Sequence, residues 1–222
     1  MLSRFGAFLR SSIGKKALMA LSGLMLIGFL IAHVLGNLTL YGDGDGTKFN
    51  EYAHKLESLG PVKLAAEVGL LALFVAHISL GMRTAMANRE ARPQRYKDTP
   101  AKGARSAASI TMIATGAVVL VFLVIHIIDF RLADFSKIGL AQLVIERLST
   151  PLGAGIYFVG MLVLGVHLWH GFQSAFQTLG LRHPTYACAI RNVGMAIAVV
   201  TAGLFATFPV LCLVFKGDWP WN

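Results

Sequence analysis

The sequence predicts an all-α membrane protein: one domain, residues 1–222, in which five transmembrane helices form a bundle. Three observations carry this expectation. Hydrophobic residues make up 55% of the chain and charged residues 14%, where a soluble domain carries about 25% charged. Mean hydropathy is +0.64. Five apolar runs reach the roughly 20 residues that cross a bilayer, at 17–40, 64–87, 107–130, 152–176 and 187–215.

The first run follows Lys15-Lys16 and so starts like a secretory signal. It is longer than a signal core, and no small-residue cleavage site precedes polar sequence, so a retained helix is expected. The second run ends in a charged connection, 88–106, which contains Pro93 and Pro100 and reads as a surface loop. The third run carries Asp129 near its end and the second Glu67 near its start. The fourth and fifth runs are joined by a short connection holding Arg182, His183 and Pro184.

The net charge of +9 is sided, which argues for topology and lipid headgroups rather than nucleic acid. Arg4, Arg10, Lys15 and Lys16 precede the first run. Arg83, Arg89, Arg92, Arg95, Lys97, Lys102 and Arg105 fill the second connection, and Arg182 and Arg191 the fourth. These are 13 of the 20 basic residues, accompanied only by Glu90 and Asp98. The positive-inside rule then places the N-terminus in the cytoplasm and the C-terminus outside. Docking of a cytoplasmic partner is a second reading of the same basic face.

Cys188 and Cys212 lie near opposite ends of the fifth run, too far apart to bridge, and there is no CxxC. Covalent c-type haem and thiolate metal sites are excluded on that ground. No Gly-rich phosphate loop, nucleophile elbow or Ser/His/Asp set is present, and no internal repeat is strong enough to use.

The informative residues are four histidines inside apolar runs: His33, His77, His126 and His167, each on a different helix. Ionisable side chains at membrane depth are costly and mark function by default. With a rise of about 1.5 Å per residue, His33 lies about 25 Å and His126 about 30 Å from the inner face. On the oppositely directed helices, His77 and His167 lie about 20 Å below the outer surface. The histidines therefore form an outer pair, His33 with His126, and an inner pair, His77 with His167, separated by roughly 15 Å of depth. Two imidazoles at one level on facing helices suit a six-coordinate haem iron, and the sequence supplies that arrangement twice. The expected bundle thus encloses two b haems. Histidines that serve helix packing, or a proton or metal transporter, are the competing readings; a transporter would carry acids beside the histidines, whereas Glu67 and Asp129 stand near helix ends. His170, one turn from His167, is an alternative ligand or a hydrogen-bonding neighbour. His54, between Glu51 and Glu57, and His183 are expected in loops.

The segments around these histidines resemble a known family. They are GLMLIGFLIAHVLGNLTLYGD around His33, AHISLGMR at the end of the second run, LVIHIIDF around His126 and HLWHGFQSAFQTLGL from His167. Over essentially the whole chain they resemble cytochrome b558, the single-chain, five-helix, di-haem anchor subunit of succinate dehydrogenase and fumarate reductase. The resemblance implies axial ligands at His33, His77, His126 and His167, paired first with third and second with fourth. In the family the fourth ligand stands 13 residues before a motif glycine, here Gly180, which selects His167 over His170. Some relatives carry a glutamate two residues before that ligand; Gly165 stands there in this chain.

The resemblance further implies two haem b groups, a flavoprotein subunit and an iron–sulfur subunit as partners, and quinone, menaquinone in this type, as the exchangeable substrate. The chain would be the multi-pass electron-transfer subunit in a bacterial cytoplasmic membrane and would do no carbon chemistry itself. Quinone chemistry couples electrons to protons, and Glu51, by loose position, resembles a glutamate implicated in quinol oxidation in related subunits. The anchor of another quinone-linked enzyme, such as a hydrogenase or formate dehydrogenase, is the alternative. A higher oligomer of the complex is left open.

Overall fold

The computed structural model describes residues 6, 11–42, 45–90 and 107–218. Arg4, Arg10 and most of the basic second connection, from Arg92 and Pro93 through Pro100 to Arg105, lie outside the described residues. Among the described residues the long and short α-helices run in order: α1 (Ser12–Asn37, extended by a 3-10 turn, Leu38–Tyr41), α2 (Thr47–Glu57), α3 (Pro61–Glu90), α4 (Ala107–His126, continued by a π turn, Ile127–Arg131), α5 (Gly139–Leu148), α6 (Pro151–Thr178) and α7 (Pro184–Phe215). Five are long and apolar enough to cross a membrane, with spans Ser12–Tyr41, Pro61–Ala87, Thr111–Arg131, Pro151–Thr178 and Pro184–Phe215.

Four of these helices begin earlier than the apolar runs do, because polar caps and prolines start a helix without adding hydropathy. The Ser11 side chain accepts from the Gly14 N–H at 3.0 Å, and Thr150 Oγ1 accepts from the Gly153 N–H at 3.0 Å. Each satisfies a donor that the first turn leaves unpaired. Pro61, Pro151 and Pro184 occupy first helical positions, where a missing N–H costs nothing.

Two elements escaped the sequence reading: the short helices α2 and α5, both at the end of the bundle that α1 reaches with its C-terminus. We call this end upper. They form a lid whose buried residues, Phe49 on α2 and Ala141, Ile145 and Leu148 on α5, join Leu40, Tyr157, Phe208 and Cys212 in one core cluster. Asn50 Oδ1 of α2 accepts from the Ala141 N–H at 3.0 Å, which ties the two together. Each is amphipathic and too short to span, so a hydropathy window sized to a bilayer passes over both.

A second cluster, Ile27, Met161, Leu164, Leu168, Phe172 and Ala198, joins α1, α6 and α7. The α6–α7 contact is the closest in the bundle. A Cβ at Gly194 would stand 2.7 Å from the Phe172 ring, and one at Gly165 would stand 3.0 Å from the Ala202 Cβ. Small residues at helix interfaces allow such approach where lipid supplies no hydrophobic drive for association. By contrast, α3 packs against α1 and α4 against α6, but α3 and α4 scarcely touch. A slot therefore runs through the middle of the bundle. Outward-facing Val68, Val75, Val121, Val199 and Val214 are exposed, as lipid-facing side chains must be.

Two charged links cross the upper end. Arg131 on the π turn donates to both carboxylate oxygens of Glu67 on α3, at 3.1 and 2.9 Å. Asp129 Oδ2 accepts from Arg147 Nε at 2.8 Å and from the Tyr157 hydroxyl at 3.0 Å, so one carboxylate joins α4, α5 and α6.

Candidate functional site

The slot is a cavity of about 3240 Å³ whose walls come chiefly from α1, α3, α4 and α6. Pockets for drug-sized ligands measure about 300–1,000 Å³, so this space suits something larger or more than one body. His33, His77, His126 and His167 all line it, one from each of those four helices.

At the upper level the imidazoles of His33 and His126 meet across the cavity, ring centroids 5.9 Å apart and planes at 82°. Their surroundings are aromatic. Phe29, one turn before His33 on α1, stacks on it at 5.3 Å, and Phe205 of α7 lies 5.6 Å away. His126 is flanked by Phe122, Phe130 and Tyr157 at 6.0, 5.4 and 6.1 Å. His126 Nδ1 is buried and has no hydrogen-bond partner. Leaving a buried polar group unpaired costs about 1–3 kcal/mol.

The lower level is polar where the upper is aromatic. His77 of α3 lies against α1, its Nδ1 3.1 Å from Ser22 Oγ. His167 of α6 lies against α4, its Nδ1 3.2 Å from Thr115 Oγ1. Both rings line the cavity. Ser22 precedes His33 by eleven residues, as Thr115 precedes His126, so the two levels are about 16 Å apart along the helices.

The mouths differ as well. Lys16, Arg89 and Arg182 line the cavity at its lower end, together with His170 and Gln177, whereas Glu67 and Arg131 line its upper end. His170 also lines the cavity, one turn below His167. Glu51 is exposed on α2 and does not line the cavity. The loop carboxylate picked out by position is thus away from the histidines, and Glu67 is the carboxylate that reaches the cavity wall. His54 and Glu57 line a separate pocket of about 170 Å³ between α2 and the start of α5. His183 is exposed and caps α7, its Nδ1 accepting from the Thr185 N–H at 3.3 Å.

Two glycines of the sequence motifs serve the fold. Gly180 ends α6 with a φ of 72°, and the Leu181 N–H bonds back to the Phe176 carbonyl at 2.9 Å, a glycine-terminated helix end. Gly165 faces α7, so a carboxylate at that position would point into the helix contact rather than the cavity.

Sequence reasoning missed Ser22, Gly23, Thr115 and Gly116. A signal for them exists once α1 is aligned with α4. A hydroxyl residue followed by glycine stands at positions 22–23 and 115–116, with each glycine ten residues before the histidine of its own helix. The other two helices match as well: His77, Gly81, Thr84 and Ala85 recur at the same spacing as His167, Gly171, Ser174 and Ala175. The chain thus contains a faint repeat of two helix pairs, and each histidine level takes one residue from each half.

Among the described residues no group of three or more His, Cys, Asp or Glu side chains gathers in a way that could hold a metal ion. Each level pairs two imidazoles without a third such side chain, so a metal bound there would bring other ligands with it. Fold and site together define an all-helical, multi-pass membrane protein with five candidate spans and two histidine pairs in a central cavity. No protein-family model, curated protein or solved structure matches the chain.

Proposed function

We propose that this chain is the di-haem cytochrome b membrane anchor of a succinate:quinone oxidoreductase, carrying electrons between an iron–sulfur subunit and membrane quinone. The observation that carries the haem reading is the His33–His126 spacing of 5.9 Å. His33 and His126 would hold one haem iron between them, an imidazole pair being a ligand set that haem accepts. The size of the cavity, and the absence of a third His, Cys, Asp or Glu ligand among the described residues at either level, fit the same group. Bound haem supplies one-electron transfer at an iron whose axial ligands the protein chooses.

The chain's own residues hold, orient and enclose. His33 and His126 would ligate at the upper level and His77 and His167 at the lower. Phe29, Phe122 and Phe205 exclude water around the upper pair. Lys16, Arg89 and Arg182 at the lower mouth offer charge for carboxylate substituents of a cofactor. The basic connection between α3 and α4 provides a face for the iron–sulfur and flavoprotein subunits. Menaquinone exchange belongs to the upper end, where Glu51 is the solvent-facing acid and Glu67, held by Arg131, the one at the cavity wall.

A reduced-minus-oxidised spectrum of the purified protein tests this. A sharp b-type α-band with two haems per chain is expected; its absence overturns the haem reading in favour of packing or transport histidines. Co-purification identifies the enzyme: a flavoprotein partner supports succinate chemistry, and a metallo-enzyme partner moves the anchor to a hydrogenase or formate dehydrogenase. For orientation, a cysteine placed near Pro100 should react with an impermeant reagent in inside-out vesicles and not in intact spheroplasts. The reverse labelling would exchange the cytoplasmic and outer levels.

A further inference from the structure

We infer that Ser22-Gly23 and Thr115-Gly116 form a matched pair of sockets that hold His77 and His167 as Nδ1-protonated imidazoles, with Nε2 free for the cavity. The inference rests on the haem reading and deepens it by naming the residues that set the lower site's tautomer and electron donation.

The hydrogen-bond geometry points to one direction for each contact. A hydroxyl has one proton and two lone pairs. Ser22 Oγ lies 3.0 Å from the Met19 carbonyl, and Thr115 Oγ1 lies 2.9 and 3.2 Å from the Thr111 and Met112 carbonyls. A carbonyl only accepts, so a hydroxyl that serves these contacts presents lone pairs to the histidine. In that arrangement Nδ1 carries the proton and the Nε2 lone pair is the free donor of each ring.

The adjacent glycines fix the position that the hydroxyls orient. A Cβ at Gly23 would stand 3.0 Å from His77 Cε1, and one at Gly116 would stand 3.3 Å from His167 Cε1. Each imidazole edge thus rests on bare helix backbone, with the hydroxyl one residue earlier to catch its N–H. Because the motif occurs on both α1 and α4, the two rings are held in the same way from opposite halves of the repeat. At the upper level His126 Nδ1 has no such acceptor.

An N–H held by an acceptor makes a ligating imidazole more basic and so favours the oxidised metal. Ser22→Ala and Thr115→Val should each raise the midpoint potential of the lower haem component, the one that depends on His77, and shift its low-spin electron paramagnetic resonance signal. The double variant should shift further. The upper component should stay at its wild-type potential, and Ser22→Thr and Thr115→Ser should restore the lower one. Gly23→Ala should perturb the lower signal more than Gly116→Ala, in the order of the two clearances. Titrations of the purified, haem-loaded protein with haem content measured in parallel provide the readout. An unchanged potential and resonance signal in the double variant overturns the inference, as does a shift confined to the upper component. A wild-type protein without haem overturns the functional proposal instead, so the two failures are distinguishable.

Discussion

If the chain holds two haems, His33→Ala should remove one component from the reduced-minus-oxidised spectrum, and His126→Ala should remove the same one. His77→Ala and His167→Ala should each remove the other. These outcomes follow from placing two imidazoles of one level around one iron: His33 and His126 stand 5.9 Å apart, while the lower pair sits about 16 Å away along the helices. A methyl side chain cannot donate an electron pair, so a six-coordinate site loses an axial bond. At the upper level Phe29, Phe122, Phe130 and Phe205 surround the rings and carry no donor atom, and the Tyr157 hydroxyl is engaged by Asp129. At the lower level His170 is the nearest other imidazole, one helical turn beyond His167 on α6 and hydrogen-bonded to neither ring. His170→Ala should therefore retain both components. Loss of the same component in His33→Ala and His77→Ala would sink the two-level assignment.

Asp129→Ala should cost about 2 kcal/mol of stability, seen as a thermal midpoint about 5 °C lower in detergent. The carboxylate is 13% exposed, and it accepts from both Arg147 and the Tyr157 hydroxyl. Removing it leaves a guanidinium and a phenol without their acceptor at a point where α4, α5 and α6 meet. Arg147 is 33% exposed, so water recovers part of the loss, which keeps the expected cost below the roughly 3–5 kcal/mol of a fully buried pair. Asp129→Asn keeps an oxygen for Tyr157 and should lose about half as much. An unchanged midpoint for Asp129→Ala would show that the link contributes nothing to holding the upper end together. Tyr157 and Asp129 both stand close to His126, so the same variant should also broaden the upper haem signal.

The five spans were legible in the sequence because crossing a bilayer is a property of one segment at a time. Length and hydropathy suffice, and no partner needs to be known. The four histidines stood out for the same reason: an ionisable group inside an apolar run is conspicuous wherever the run packs. Their sorting into two depths also needed only the helical rise and the alternation of direction.

What remained hidden depends on the rotation of each helix about its axis and on its neighbour, neither of which a mean hydropathy encodes. Ser22 and Thr115 are two hydroxyl residues among many until α1 is seen against α3 and α4 against α6. Glu51 and Glu67 look equivalent as acids near the same end, yet only Glu67 faces the cavity. Gly165 could belong to the cavity or to a helix contact, and packing against Ala202 places it in the contact. The lid of α2 and α5 exists because two short amphipathic segments find each other through Asn50 and Ala141. The sequence alone determined what each segment must avoid, which is water along the spans. The tertiary structure decided which side chains face one another across the slot, because that choice is made by packing between helices far apart in the chain.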